Sequence, residues 1–202
     1  MRTGLPINNN SFGTKLYHPN LSSQEVLDAM YLAAAAYSEN LVELTVPTVF
    51  GNIEQWKPIT DRLLTFGLDS TLLKSNLYYQ ASTGGTTVGA FSPGTAEAIV
   101  FENTVNGEIA LAFRGTAGEG SILISGDQGD WGPFGQRDHY NSFSDLFSAL
   151  DAYIIDAGVS EVLVTGHSLG GAMVEFYMED SDNGKLPGVS YNAVAVASPQ
   201  AR

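Results

Sequence analysis

The chain contains no cysteine, which removes disulfide frameworks, thiol nucleophiles and cysteine-ligated metals from consideration. Basic residues are also scarce: nine Lys and Arg stand against twenty-two Asp and Glu, a formal net charge of -13. Such a surface repels phosphate backbones and anionic bilayers, so nucleic acid is excluded as an electrostatic partner and neutral or interfacial substrates fit better. No apolar run approaches the length of a bilayer, and no transmembrane segment is expected. Residues 1–10 lack the basic start and apolar stretch of a secretory leader.

What is present suffices for one sizeable core. At 202 residues and 44% hydrophobic, the chain reads as a single domain over 1–202, with a lead-in helix and irregular region at 1–95 and an ordered core at 96–202. Ser22-Ser23-Gln24-Glu25 offers a capping box, after which Val26, Leu27, Met30, Ala33, Ala34 and Tyr37 recur at helical spacing until Asn40. The alanines at 33–36 imply close packing against another element. Between 41 and 93, Pro47, Pro58, Gly67 and the glycine- and threonine-rich stretch 82–87 break every period, leaving short strands or helices.

Order sharpens after Ala96. Residues 98–102 and 108–113 are strand-like and joined through Asn106-Gly107, a hairpin signal, so an antiparallel pair is expected. A helix starting near Ser142 or Ser144 carries Phe143, Leu146, Phe147, Leu150, Tyr153 and Ile154 on one face and stops at Gly158. Residues 161–165 and 189–197 read as buried strands, and 172–178 continue at helical spacing. This alternation of strand and helix indicates an α/β fold with a sheet flanked by helices.

Val164-Thr165-Gly166-His167-Ser168-Leu169-Gly170-Gly171 is the most informative string, because it sets a serine between two glycines at a strand-to-helix turn. Gly-x-Ser-x-Gly in that context is the pattern of a nucleophile elbow, where the serine is strained and its hydroxyl stands clear of the sheet. Ser168 is therefore the candidate catalytic nucleophile. The chemistry is acyl transfer through a tetrahedral oxyanion and an acyl-enzyme. The backbone N–H of Leu169, the residue after the serine, supplies one oxyanion donor by elbow geometry alone.

Three segments, Ala112-Phe113-Arg114-Gly115-Thr116, Thr165-Gly166-His167-Ser168-Leu169-Gly170-Gly171-Ala172 and Ala197-Ser198-Pro199-Gln200, resemble in order and approximate spacing those of the class 3 lipases of the α/β-hydrolase superfamily. The resemblance implies an α/β-hydrolase-like sheet, triacylglycerol lipase-like activity on acylglycerols or other esters, a transient contact with a lipid interface, and Thr116 as the second oxyanion donor. Removing one such donor typically costs about 100- to 1,000-fold in turnover. The glycine-rich segment 115–137, with Ile122, Leu123, Ile124, Trp131 and Phe134, is either the lid that the resemblance implies or an ordinary buried strand or helix turn. Arg114 reads as a structural ion-pair residue with Asp130 as a partner, rather than as part of catalysis. Asp127 and Asp130 lack the spacing of a calcium loop, so no metal is assigned, and no cofactor is expected. A hydrolase with this composition suits export by a C-terminal signal rather than an N-terminal leader, which leaves the compartment open.

Histidine is the remaining scarcity. The family places an acid and then a histidine after the serine, and no histidine follows Ser168. The acids after it, Glu175, Glu179, Asp180 and Asp182, lie on or just past the elbow helix. His167 is adjacent to the serine but turned away by the bend, His139 reads as a helix-start or loop residue, and His18 lies in the lead-in. The expectation is that these residues are the N-terminal part of a longer hydrolase, truncated on its C-terminal side and nearly inactive alone. An end at Arg202 would also leave residues 194–197 near an uncovered sheet edge. The alternative is a catalytically inactive lipase-like domain that binds lipid or a partner. Intact Ser168, Leu169, Gly170 and Gly171 favour the enzyme.

Overall fold

The computed structural model describes residues 14–16, 21–37, 55–74, 78–82, 95–115, 133–180 and 186–196. In chain order these form β1 (Thr14–Leu16), α1 (Ser23–Ala35), β2 (Trp56–Pro58), two 3-10 helices (Thr60–Phe66 and Ser70–Leu72), β3 (Leu73–Lys74) and β4 (Tyr78–Ser82). There follow β5 (Thr95–Asn103), β6 (Ile109–Phe113), α2 (Pro133–Asn141), α3 (Ser144–Ala157), β7 (Glu161–His167), α4 (Leu169–Glu179) and β8 (Ser190–Val196). The strands make one mixed sheet in the order β1-β8-β7-β6-β5-β4-β3, with β2 pairing β5 beside β4. The fold is mixed α/β, as the alternation of elements predicts.

Local chemistry explains most of the elements. Ser22 caps α1 reciprocally: its Oγ accepts from the Glu25 amide at 3.2 Å, and the Glu25 carboxylate accepts from the Ser22 amide at 2.6 Å. The β5–β6 hairpin closes on asparagines, with Asn103 Oδ1 accepting from Val105 N–H and Asn106 Oδ1 from Glu108 N–H, both at 3.0 Å. Gly107 completes it at a φ of 75°, a conformation that costs a side chain energy. α3 buries Leu146, Phe147, Leu150, Tyr153 and Ile154, the face expected from its periodicity, and ends on left-handed Gly158.

The central strands β6, β7 and β8 run parallel, while β5 is antiparallel to β6. Because consecutive parallel strands are neighbours, both crossovers run over the same face, as a uniform handedness requires. α2, α3 and α4 accordingly pack on one side, around Phe113, Phe143, Phe147, Met173 and Tyr177. The other face is covered by α1, whose Ala29, Leu32, Ala35 and Ala36 meet Ala110, Ala112, Leu163 and Val194.

Three expectations are corrected here. The buried stripe of α1 is Asp28, Ala29, Leu32, Ala33 and Ala35, whereas Leu27 and Met30 are 36% and 44% exposed. Small side chains let the helix axis approach the sheet, and larger neighbours are left outside. The edge at β8 is not bare: β1 pairs with it antiparallel, Thr14 opposite Val196 and Leu16 opposite Val194, so the uncovered-edge argument does not hold. The helix expected to start near Ser142 or Ser144 is preceded by another, α2, which begins within the segment 115–137 at Pro133, a residue suited to the first turn of a helix. Ile122, Leu123, Ile124 and Trp131, read from the sequence as either a lid or a buried strand or helix turn, lie outside the described residues.

Glu108 enters β6 nearly buried, and its Oε1 has no hydrogen-bond partner. Burial first, then the nearby Glu25, Glu161 and Asp28, push its carboxyl up to about 7, against a smaller lowering by Asn106. The folded state thus keeps a proton that the unfolded chain gives up in the ordinary carboxylate range. Its contribution to stability is complete below that range and disappears as pH rises through about 7. Asp151, raised to about 6 by burial, acts in the same direction. Denaturant unfolding at about pH 5 and about pH 8 is expected to show the native protein losing stability with rising pH, and Glu108→Gln losing distinctly less. An unchanged slope in the variant would assign the effect elsewhere.

Candidate active site

β7 becomes α4 within one residue, and that residue is Ser168. Its backbone sits at φ 57° and ψ -121°, and it is the sole non-glycine with positive φ among the described residues. Such a conformation stores about 1–3 kcal/mol unless its surroundings enforce it. Here they do. The Ser168 amide donates to the Val196 carbonyl at 2.9 Å, and the Ser168 carbonyl accepts from Gly171 N–H at 2.9 Å and Ala172 N–H at 3.3 Å.

Comparison with the other capping serine defines what is unusual. Ser22 has extended backbone angles and spends its hydroxyl on the helix. Ser168 also stands at an N-cap, but its side chain makes no cap hydrogen bond. The half-buried hydroxyl is left available above the C-terminal ends of β6, β7 and β8. Leu169 is the first residue of α4, so its N–H has no intrahelical acceptor, and the helix end carries partial positive charge.

Glycines make the approach close enough. A Cβ on Gly166 would fall on the Gly170 carbonyl, and one on Gly170 would fall on the Phe113 carbonyl, so the elbow is pressed against the end of β6. A Cβ on Gly115 would meet the Tyr37 hydroxyl and the His167 carbonyl, and would lie 3.2 Å from Ser168 Cβ. Gly115 is buried and leads directly to Thr116, which itself lies outside the described residues.

His167 and Tyr37 meet beneath the serine on the α1 face. Tyr37 Oη lies 3.0 Å from His167 Nδ1 and 3.2 Å from the His167 carbonyl. Burial holds the His167 imidazole below its ordinary pKa and so favours the neutral ring. For Tyr37, burial raises the phenol, while a hydrogen bond from the Gly115 amide and the charge of Arg114 oppose that rise. Arg114 pairs with Glu97 of β5; Asp130, the partner expected from the sequence, lies outside the described residues. Gln80 Nε2 also donates to Glu97, and Lys74 Nζ lies 4.0 Å from it. The strand end is therefore braced by an ion pair whose side chains are 13% and 6% exposed, and Arg114 has a structural partner.

No family model matches the chain, and no curated protein matches it. Among solved structures, a deletion mutant of the Rhizomucor miehei lipase propeptide complex is similar at 20% identity and a TM-score of 0.44, over 82% of this chain and 48% of that one. The chain thus spans about half the length of that structure.

His139 is buried inside α2, edge-on to Phe143 at 5.8 Å, rather than at a helix start or in a loop, because α2 begins earlier than its sequence suggests. His18 lies outside the described residues, as do Asp127 and Asp182. Glu175 and Glu179 lie on α4 and Asp180 caps its end. Tyr37, Gly115 and Glu97 are the site neighbours that sequence patterning passed over. Tyr37 reads as one more helix position, and nothing local marks its partners.

Proposed function

We propose that Ser168 is the nucleophile of a serine ester hydrolase of the α/β-hydrolase type, lipase-like in acting on acylglycerols or related neutral carboxylic esters. The observation that carries this reading is the strained backbone of Ser168 with its hydroxyl unused by the helix it opens. Ser168 Oγ attacks the ester carbonyl as a base takes its proton, and the carbonyl oxygen becomes an oxyanion facing the Leu169 amide at the N-terminus of α4. Thr116 is proposed as the second donor, on the resemblance of Arg114-Gly115-Thr116 to the oxyanion segment of class 3 lipases. The C–O bond to the alcohol then breaks, the proton passes to that alcohol, and water cleaves the acyl-Ser168 ester to carboxylic acid. The neutral carbonyl group suits an acidic protein, since it brings no charge to be repelled. The histidine base and its acid partner belong, in this reading, outside the described residues.

A fluorophosphonate probe incubated with the full-length protein is expected to attach covalently to Ser168, located by peptide mass mapping. Its phosphorus mimics the tetrahedral centre and reacts with serines that are both exposed and activated. Labelling that persists in Ser168→Ala would place the nucleophile elsewhere. A folded protein that takes no label would favour the non-enzymatic alternative, a lipase-like domain that binds lipid or a partner.

A further inference from the structure

We propose that Tyr37 is a positioning residue that clamps the Gly115 end of β6 to the elbow and so sets the gap in which an ester oxygen meets the Leu169 amide. This rests on the reading of Ser168 as a nucleophile and adds to it the device that holds the two sides of the site in register. α1 ends at Ala35, with Ala36 as its C-cap, and the next residue places one phenol oxygen among segments far apart in sequence. That oxygen lies 3.0 Å from His167 Nδ1 and 3.2 Å from the His167 carbonyl, and the Gly115 backbone packs directly against it.

A phenol has one proton and two lone pairs, enough to serve His167 and to face the Gly115 amide packed against it. Donation to the His167 carbonyl leaves the lone pairs for Gly115 N–H and for a proton on His167 Nδ1. Space confirms the fit, because the phenol oxygen occupies the position where any residue but glycine at 115 would place its Cβ.

Register here bears directly on rate. Oxyanion donors act when they lie about 2.7–3.1 Å from the developing charge, and a misplacement of about 1 Å can cost on the order of 100-fold. Tyr37→Phe deletes one oxygen and keeps the ring, including its edge-on contact with His167 at 5.7 Å between centroids. It leaves the His167 carbonyl without that partner and removes the oxygen against which Gly115 packs. Tyr79→Phe is the matching control: its hydroxyl also donates to a backbone carbonyl, that of Ser142, but it sits among the core residues of the opposite face.

The experiment measures fluorophosphonate inactivation of the full-length protein, separating the maximal rate from the probe's half-saturating concentration, together with amide exchange at Gly115. Tyr37→Phe is expected to lower the maximal rate about 10- to 100-fold at unchanged half-saturation, and to speed exchange at Gly115. Tyr79→Phe should lower thermal stability and change neither quantity. An unchanged rate in Tyr37→Phe, an equal fall in Tyr79→Phe, or unchanged exchange at Gly115 overturns the clamp. If the native protein takes no label, the nucleophile reading fails and the clamp with it. A labelled native protein with an unaffected Tyr37→Phe overturns the clamp alone.

Discussion

In the full-length protein, Ser168→Ala is expected to lower turnover of a short-chain nitrophenyl ester about a million-fold, the scale of losing a triad nucleophile, with thermal stability nearly unchanged. Ser168→Gly should lose activity equally and yet unfold at a higher temperature. The reason is the φ of 57° at this position, which burdens a side chain with about 1–3 kcal/mol that glycine does not carry. Glycine's greater freedom in the unfolded chain returns about 0.5–1 kcal/mol of that gain. A net gain of about 1 kcal/mol corresponds to a midpoint about 2–4 °C higher for a domain of this size. A glycine variant that is less stable than the native protein would show that the elbow is not strained. An alanine variant that keeps its turnover would show that Ser168 is not the nucleophile. The pair of outcomes expected is that of a residue whose conformation serves chemistry at the expense of stability.

Gly170→Ala is expected to be strongly destabilising. Its Cβ would land on the Phe113 carbonyl, with the Arg114 backbone close behind. Neither can swing aside as a side-chain tip could, since Phe113 is paired on both sides, to Ala98 and to Gly166. The overlap must be relieved by parting α4 from β6, at about 3 kcal/mol and a midpoint about 6–12 °C lower. Because that movement also shifts Ser168 and the Leu169 amide away from the Gly115 end of β6, the fluorophosphonate rate should fall below what unfolding explains. Gly171→Ala is the internal comparison: its Cβ would lie 3.3 Å from the Val196 carbonyl, a contact that small shifts relieve. Equal stability of the two variants, read by thermal unfolding, would mean that the elbow is not pressed onto β6.

Hairpin, elbow strand and elbow helix could be read from the chain because each is specified by residues close in sequence. Asn106-Gly107 sets its turn through its own backbone, and the face of α3 follows from a spacing that any helix imposes. α1 shows where such reasoning fails. Its capping box fixes the start, but its inward face is occupied by alanines rather than by Leu27 and Met30, since the distance to the sheet, not hydrophobicity, decided which side fits. β1 is beyond local reading for another reason. Three residues carry no period, and they become a strand only by pairing with β8.

The amino-acid sequence alone determined that Ser168 stands at a strand-to-helix turn flanked by glycines, in an acidic α/β domain without cysteine. Only the tertiary structure decided that Arg114 pairs with Glu97 and that His139 is buried inside a helix. It alone decided, too, that the Tyr37 hydroxyl meets His167 with Gly115 packed against it. The physical reason is the range of the interactions. Turns and caps are settled by backbone sterics and hydrogen bonds over a few residues, whereas an ion pair or a shared hydroxyl between distant segments exists only once the sheet has set their register.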